Sequence, residues 1–305
     1  MVEPQRMAAA NLDRRAVRAS FERAAAGYDE FAALQSAVRT NLAERLDLVQ
    51  IAPQRMLDAG CGTGGAQRAL FARFPKAALF AVDFAPAMLQ QARRRKPWFR
   101  TLWTVAADCT ALPLADASID LVFCNLMLQW LDDPEPAFRE FRRVLAPRGL
   151  LLFSSFGPDT LRELRAAWSQ VDGAPHVNRF LDMHDIGDAL VRAGLTEPVL
   201  DVEHLTTQYH APRELMRELK GLGAHNAAAA RPRGLTGRAR LAAVESAYPK
   251  GADGSVAATW EVVYGAAWAP RARDDAAVLA HEGGALAQDG SIGLDALRAE
   301  LKRRR

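Results

Sequence analysis

The segment LDAGCGTGG, residues 57–65, places four glycines within six positions, directly after a short apolar run. A helical pattern, AQRALFARF (66–74), follows it. Glycines at such a turn let the backbone come close to a ligand, and the N-terminus of the following helix favours negative groups on that ligand. The segment therefore predicts a strand, a tight ligand-binding turn and a helix, which constrains the chain to an α/β fold.

The first half of the chain alternates between strand-like and helical patterns. The predicted strands are 55–60, 78–84, 103–108, 119–126 and 150–156. The predicted helices are 66–74, 86–95 and 136–145, after a long helical pattern that runs from residue 16 to about residue 49. Strands that alternate with helices predict a parallel, doubly wound, Rossmann-like sheet with both faces covered.

The second half predicts a helix over 183–193, closed by Gly194, and two further strands over 197–209 and 260–268. The intervening residues are helical and then rich in arginine, proline, alanine and glycine, which indicates an insertion on top of the sheet. We expect a helical N-terminal lid (1–50), a main domain (51–270) with a cap insertion (205–250), and a charged tail (271–305).

Composition is that of a soluble globular protein, because half of the 305 residues are hydrophobic and a quarter are charged. No apolar run approaches the roughly 20 residues of a membrane span. The arginine- and alanine-rich start hints at a mitochondrial transit peptide, but acidic residues interrupt it and it lacks the apolar core of a secretory signal. Cys61, Cys109 and Cys124 lack metal-ligand spacing. They favour buried free thiols in a reducing cytoplasm, and thus a cytoplasmic protein.

The glycine segment by itself fits two cofactors. Gly60, Gly62 and Gly65, with Asp83 further on, satisfy the dinucleotide fingerprint GxGxxG. An S-adenosylmethionine (SAM) methyltransferase pattern, DxGxGxG, is formed equally well by Asp58, Gly60, Gly62 and Gly64.

Three further features favour SAM. Asp108 closes the third predicted strand, where it can accept a hydrogen bond from an adenine amino group. Asn125 closes the fourth strand and precedes LMLQW, where class I methyltransferases line the methyl-transfer pocket. The chain also has a late strand after a long excursion, as the seven-stranded methyltransferase sheet does. Together these features predict a SAM site.

The span from about Phe21 to Pro270 resembles the malonyl-[acyl-carrier protein] O-methyltransferases of biotin synthesis. The segments that carry the resemblance are FERAAAGYD (21–29), LDAGCGTG (57–64), NLMLQW (125–130), FGPDTLRELR (156–165), HVNRFLDMHDIGDAL (176–190) and LMRELKGLGAHN (215–226). The resemblance implies a seven-stranded Rossmann-like sheet with a helical cap. It also implies methyl transfer from SAM to the free carboxylate of a malonyl thioester.

Within this resemblance we expect Phe21 and Tyr28 to close over the cofactor as a lid, and Gln129 and Trp130 to shape the methyl pocket. A malonyl carboxylate, with a pKa of about 4, is already ionised at neutral pH. No general base is therefore expected, and the protein's task is alignment and exclusion of water, worth roughly 7–11 kcal/mol in favourable cases.

The stretch HVNRFLDMHDIGDAL combines a helix start with polar residues in front of it. Asp182 is expected to cap that helix. His176 and His184 have poor spacing for a metal, and no metal is expected. His176 and Arg179 precede the cap and are expected near the mouth of the active site. A guanidinium binds a carboxylate bidentately, so Arg179 is the predicted fork for the malonyl group.

The predicted partner is an acyl-carrier protein, because residues 205–250 carry eight basic and three acidic side chains. Basic residues expected to steer the acidic carrier include Arg213, Arg217, Lys220, Arg231 and Arg233. The same segment has no aromatic residues interleaved for stacking on bases, so nucleic acid is not expected.

Three alternatives remain at this point. One is an NAD-dependent oxidoreductase with the same glycine loop. Another is a SAM-fold assembly factor or hydroxylase that transfers no methyl group. The third is a methyltransferase that acts on a small free polycarboxylate such as an aconitate-like acid.

Overall fold

A computed structural model describes residues 12–224, 226–228 and 236–271 of the chain. Its seven strands form one sheet, and their bounds are β1 (Arg55–Ala59), β2 (Ala78–Asp83), β3 (Leu102–Ala106), β4 (Ile119–Asn125), β5 (Leu145–Phe156), β6 (Thr196–Tyr209) and β7 (Val256–Trp268). Ten α-helices occur in the same ranges, besides two short 3-10 helices: α1 (Arg14–Ala24), α2 (Tyr28–Phe31), α3 (Ala33–Glu44), α4 (Gln67–Arg73), α5 (Pro86–Arg94), α6 (Glu135–Val144), α7 (Arg162–Ser169), α8 (Met183–Arg192), α9 (Pro212–Gly221) and α10 (Arg238–Ala247).

The strand order is β3-β2-β1-β4-β5-β7-β6, which confirms the predicted seven-stranded Rossmann-like sheet. Strands β1 to β5 pair in parallel, but β7 lies between β5 and β6 and is antiparallel to both. The predicted parallel arrangement therefore holds for β1 to β6, since β6 runs in the same direction as β5, and β7 is the one strand of the sheet that runs the opposite way. The reason is the β6–β7 connection, which leaves after Tyr209 and returns at its register partner Val256, so the chain re-enters the sheet from the same end.

Helices cover both faces of the sheet because successive strand residues point to opposite sides. Met56 packs in one core with side chains of α3, α4 and α7, whereas its neighbour Leu57 packs in a second core with α6 and α8. Both residues are fully buried. Strands buried on both faces appear in the sequence as continuous apolar runs, which is why β1, β2 and β4 are close to their predicted positions. Strand β5 begins at Leu145, five residues before its predicted start.

The long helical pattern at the N-terminus is divided into three helices, contrary to the expectation of one. Helix α1 ends before the turn at Gly27, α2 has a single turn, and α3 starts after Ala32. This division lets the segment bend, so that α1 packs on α5 and α3 packs on β4 and β5.

Helix α8 has the predicted start and end. The Asp182 carboxylate accepts a hydrogen bond from the His184 N–H at 2.7 Å, as an N-cap does. Gly194 ends the helix with a φ of +81°, a conformation that glycine adopts without strain.

Helices α9 and α10 lie in the β6–β7 connection, at the sheet edge where the parallel strands have their carboxyl ends. The compact unit ends at Ala269. Apart from residue 271, the predicted tail lies outside the described residues and stays a prediction, as does the domain division. Within the described ranges, no helix has the length and apolar character needed to cross a bilayer.

Candidate active site

The glycine turn after β1 uses its glycines for different purposes. Gly60, Gly62 and Gly64 all have positive φ, between +53° and +81°. A Cβ at Gly60 would lie 2.5 Å from Cγ of Met127, so this glycine permits close packing. A Cβ at Gly62 would meet no protein atom within 4 Å, and Gly62 lines a cavity. Gly62 therefore offers bare backbone to a ligand, whereas Gly64 packs on the Gln67 amide below the turn.

Asp83, the last residue of β2, ties this turn to the next helix. Its carboxylate accepts the Gly62 N–H at 2.9 Å and the Ala85 N–H at 2.9 Å. Burial raises the pKa of Asp83 to about 6, although these two backbone donors oppose the rise. A carboxylate has about four lone-pair sites, so Asp83 can still accept a hydrogen bond from a ligand hydroxyl.

Asp58 lies in β1 directly below the turn and does not belong to the cavity lining. It is buried, and its Oδ2 has no hydrogen-bond partner within the described part of the chain. Burial raises the pKa of Asp58 to about 7, Arg39 nearby opposes the rise and Asp83 adds to it. Asp58 is thus a buried carboxyl at the border between its neutral and its charged form.

At another end of the cavity, Asp108 follows β3 and is held on both sides. One oxygen accepts hydrogen bonds from the Thr110 N–H (2.9 Å) and hydroxyl (2.7 Å). The other pairs with the Arg14 guanidinium of α1. The ion pair fastens the first turn of α1 over this end of the cavity.

An aromatic cluster closes the cavity from the side of the N-terminal helices. The Phe21 ring lies 5.1 Å from Trp130 in a T-shaped contact, 6.1 Å from Phe84 and 6.5 Å from Tyr28. Burial raises the pKa of the Tyr28 hydroxyl, so Tyr28 remains protonated at neutral pH. The cluster places α1 and α2 as a cover over the glycine turn.

Three lining residues with carboxamide side chains, Gln35, Asn125 and Gln129, lie near the carboxyl end of β4. Asn125 Oδ1 accepts the Ser154 hydroxyl at 3.0 Å, and its Nδ2 donates to the Gln35 main-chain oxygen at 3.4 Å. Gln129 Nε2 donates to the Leu126 oxygen at 2.7 Å, while its Oε1 is buried without a partner in the described ranges. These bonds fix the orientations of Asn125 and Gln129.

Most of these groups, but not Asp58 or Gly64, surround one cavity with about 1000 Å³ of space not filled by atoms, including the part open to solvent. Nine residues singled out from the sequence line it together: Phe21, Tyr28, Gly60, Gly62, Asp83, Asp108, Asn125, Gln129 and Trp130. A mostly apolar pocket with a few converging polar groups is typical of a small-molecule site. Their individual roles stay predictions.

His176 and Arg179 are not among the lining residues. The His176 ring stacks on Trp168, with centroids 3.6 Å apart, and its Nε2 lies 2.8 Å from an Asp172 oxygen. Arg179 is exposed. The pKa of Arg165 is lowered mainly by its own burial and also by the nearby positive charge of Arg179. The proposed fork at Arg179 thus stays a prediction that the cavity lining does not support.

The sequence did not reveal several lining residues: Gln35, Phe156, Leu219, Leu222 and Trp260. Phe156 and Trp260 look like ordinary apolar strand residues, and Gln35 looks like a polar helix position. Among these residues, Phe156 alone could have been found from the sequence, because it is the last residue of the predicted strand 150–156.

The three cysteines and one polar cluster contain side chains of the kinds that bind metals. Cys61, Cys109 and Cys124 are buried and free, as predicted. Asp159, His204 and Glu261 form the one group in the described ranges with metal-ligating atoms within 4.8 Å of one another, and it lies outside the cavity lining. The expected absence of a metal stays a prediction.

Comparison with known proteins first defines the class. Residues 57–153 match the methyltransferase domain family. A SAM-dependent methyltransferase from Thermotoga maritima has the same fold, with a TM-score of 0.51 at 18% identity over 82% of this chain and 99% of that one. The chain is therefore a methyltransferase of the class I fold, and the dinucleotide interpretation of the glycine turn is dropped.

Closer relatives define the family. The chain is 52% identical to the malonyl-[acyl-carrier protein] O-methyltransferase of Halorhodospira halophila, over 88% of this chain and 93% of the relative. It is 51% identical to the enzyme of the same name from Laribacter hongkongensis, over 86% of this chain and 91% of the relative. The chain belongs to the malonyl-[acyl-carrier protein] O-methyltransferase family.

Proposed function

We propose that this protein transfers a methyl group from SAM to the free carboxylate of a malonyl group on an acyl-carrier protein, an early step of biotin synthesis. The observation that carries the proposal is the 52% identity to a malonyl-[acyl-carrier protein] O-methyltransferase over nearly the full length of both chains. The cavity supports the proposal. One part of its lining contains Gly62, Asp83 and Asp108, which suit a cofactor, and another part contains apolar and carboxamide side chains that suit a substrate.

The residues present fit SAM. Gly62 exposes backbone to the cavity, and Asp83 at the end of β2 has lone pairs left for ribose hydroxyls. Asp108, held by Thr110 and Arg14, follows β3 and would accept a hydrogen bond from the adenine amino group. When bound, SAM supplies an electrophilic methyl group on a sulfonium, which a carboxylate oxygen takes up as the carbon–sulfur bond breaks and its electron pair goes to sulfur.

The chain's own residues have to align and desolvate the reactants, because no proton moves in this reaction. The cluster of Phe21, Tyr28, Phe84 and Trp130 excludes water from the site. Exclusion of water strengthens electrostatic interactions there and removes the hydration that weakens a carboxylate nucleophile. The neutral Tyr28 hydroxyl can donate a hydrogen bond but is not a base at neutral pH.

The partner is proposed to be an acyl-carrier protein that docks beside α9. Leu219 and Leu222, in and just after α9, line the cavity, whereas Arg213, Arg217 and Lys220 of the same helix are exposed. A basic surface next to the cavity mouth steers an acidic partner towards it. Arg231 and Arg233, which belong to the same predicted segment, lie outside the described residues.

Intact-mass analysis after incubation with SAM and malonyl-carrier protein tests the proposal. We expect the carrier to gain the mass of one methylene unit, and acetyl-carrier protein, which lacks the free carboxylate, to gain none. Methylation of an aconitate-like polycarboxylate but not of malonyl-carrier protein would replace the substrate proposed here. No methylation of either acid would leave a SAM-fold assembly factor or hydroxylase as the better interpretation.

A further inference from the structure

We infer that the carboxamide of Gln35 positions the substrate carboxylate for attack on the methyl group. The inference rests on the proposed function and adds a residue that neither the sequence motifs nor the family relationship singles out. Helix α3 packs on β4 and β5, and Gln35 lines the cavity together with Asn125, Phe156 and Trp260.

The Gln35 amide differs from the other two lining carboxamides because its nitrogen is not committed. Asn125 Nδ2 donates to the Gln35 main-chain oxygen, and Gln129 Nε2 donates to the Leu126 oxygen. The side-chain amide of Gln35 makes no hydrogen bond with a described residue, and its Oε1 is buried and unpartnered. A buried polar group without a partner is unfavourable, so a ligand that lets this amide reorient and form a hydrogen bond is favoured there.

The two ends of the Gln35 amide can exchange positions. The last torsion of a glutamine side chain is broad and roughly two-fold, and no described residue holds this one in place. Rotation about that torsion exchanges the carbonyl oxygen for the NH₂ group, which has two donors. A carboxylate accepts only, so it selects the NH₂ orientation.

A neutral donor suits this reaction better than a cation does. A guanidinium in contact with the carboxylate would withdraw negative charge from the attacking oxygen. Among the described residues, Arg14 is the one lysine or arginine in the lining of the cavity, and it is paired with Asp108, the residue proposed to contact adenine. The carboxamide aligns the oxygen and leaves its charge in place, whereas Arg179 stays outside the lining.

Four variants test the inference against the Arg179 alternative. Gln35→Leu removes the donor, Gln35→Asn keeps an amide on a shorter arm, and Gln35→Glu replaces the donor with a carboxyl. Gln170→Leu makes the same chemical change at an exposed position outside the cavity. Arg179→Ala is assayed in parallel. Thermal unfolding and SAM titration of each variant check that the fold and the cofactor site persist.

We expect Gln35→Leu to lower kcat/KM for malonyl-carrier protein roughly ten- to a hundredfold, as for a lost hydrogen bond to a charged group. SAM affinity should change by less than about threefold, which is less than the loss of a typical hydrogen bond would cause, because Gln35 is proposed to contact the substrate and not the cofactor. Gln35→Asn should be intermediate, and Gln170→Leu should match the unmodified protein.

The decisive measurement is binding of malonyl-pantetheine and of its methyl ester, each in the presence of S-adenosylhomocysteine. Gln35→Glu should weaken binding of the malonyl compound far more than binding of its neutral ester, because two carboxylates repel each other. This difference should shrink at acidic pH, where the introduced carboxyl is protonated. A purely structural role of Gln35 would weaken both compounds equally.

The outcomes separate this inference from the proposed function. If the unmodified protein does not methylate malonyl-carrier protein, the proposed function fails. If it does, but Gln35→Leu retains full kcat/KM, or Gln35→Glu does not discriminate between acid and ester, the role of Gln35 is overturned. Loss of activity in Arg179→Ala together with full activity in Gln35→Leu would assign the carboxylate to Arg179 instead.

Discussion

Gly62 combines a left-handed backbone with open space above it, so a side chain there would occupy space expected for the cofactor. Its φ is +53° and no protein atom would lie within 4 Å of an added Cβ. Gly62→Val should weaken SAM binding at least roughly tenfold, through backbone strain and obstruction of the ligand. Isothermal titration measures it, with circular dichroism as the check on the fold. Gly173→Val is the control, because Gly173 is exposed, has open space and lies outside the lining.

Asp83 should contribute to SAM binding in two ways, by accepting ribose hydroxyls and by holding the Gly62 N–H. Asp83→Ala removes both acceptors, whereas Asp83→Asn keeps one oxygen of similar shape. We expect a larger loss of SAM affinity for the alanine than for the asparagine variant in the same titration. If Gly62→Val and Asp83→Ala both bind SAM like the unmodified protein, the cofactor site is elsewhere.

Asp58 makes stability depend on pH in a direction that can be stated. Its pKa is raised by burial from 3.8 to about 7, so the folded protein favours the neutral carboxyl. A raised carboxyl pKa means that the folded state binds more protons than the unfolded one between these values. Stability is then lost as pH rises through this window and does not recover above it.

Asp58→Asn keeps the shape of this side chain and removes its ionisation. The Tm of the variant minus the Tm of the unmodified protein should therefore increase as pH rises from about 5 to about 8. Thermal unfolding without ligand measures the difference, with the exposed Asp188→Asn as control. A difference that stays constant over this range would mean that Asp58 does not titrate there.

At the scale of elements, the sheet was largely predictable and the cavity lining only in part. Buried parallel strands are continuous apolar runs, so Asp83 and Asn125 could be placed at strand ends from sequence alone. The antiparallel β7 has no such local signal, because its direction depends on where the β6–β7 connection runs. Gln35 reaches Asn125, 90 residues away, through the packing of α3 on the sheet, which no local pattern encodes.

The N-terminal helices are predicted to act as a lid, and Phe21 makes ring contacts that would hold this lid in place. Phe21→Ala removes the ring contacts to Trp130, Phe84 and Tyr28. Aromatic pairs contribute about 0.5–1.5 kcal/mol each, so SAM should bind roughly tenfold more weakly and dissociate faster. Stopped-flow measurement of SAM release tests this. Arg23→Ala, an exposed position on α1, should release SAM at the normal rate. Normal release from Phe21→Ala would argue against a lid.

For the molecule as a whole, positive charge is concentrated rather than spread. The chain carries 39 basic and 36 acidic residues, a net charge of +3. Residues 205–250 alone have eight basic and three acidic residues, which is a net charge of +5, so the remainder is net negative. Part of this charge is neutralised internally, since Arg213 of α9 pairs with Glu245 of α10. A local excess next to a cavity steers an oppositely charged partner, whereas net charge alone does not.

Replacement of Arg213, Arg217 and Lys220 of α9 by glutamate should therefore raise the KM for malonyl-carrier protein about tenfold or more at low salt. The reason is that electrostatic steering and the contacts of these residues with the carrier both weaken. Activity on a small malonyl thioester should be nearly unaffected, since that substrate has no acidic surface to recognise. The matched control makes the same change in net charge at exposed positions near the amino-terminal edge of the sheet, and it consists of Lys76→Glu, Arg94→Glu and Lys96→Glu. Raising salt to about 0.5 M should weaken the unmodified enzyme towards the carrier, because surface charges are then screened within a few ångströms. Equal carrier kinetics in both triple variants, independent of salt, would mean that Arg213, Arg217 and Lys220 are only solvated residues.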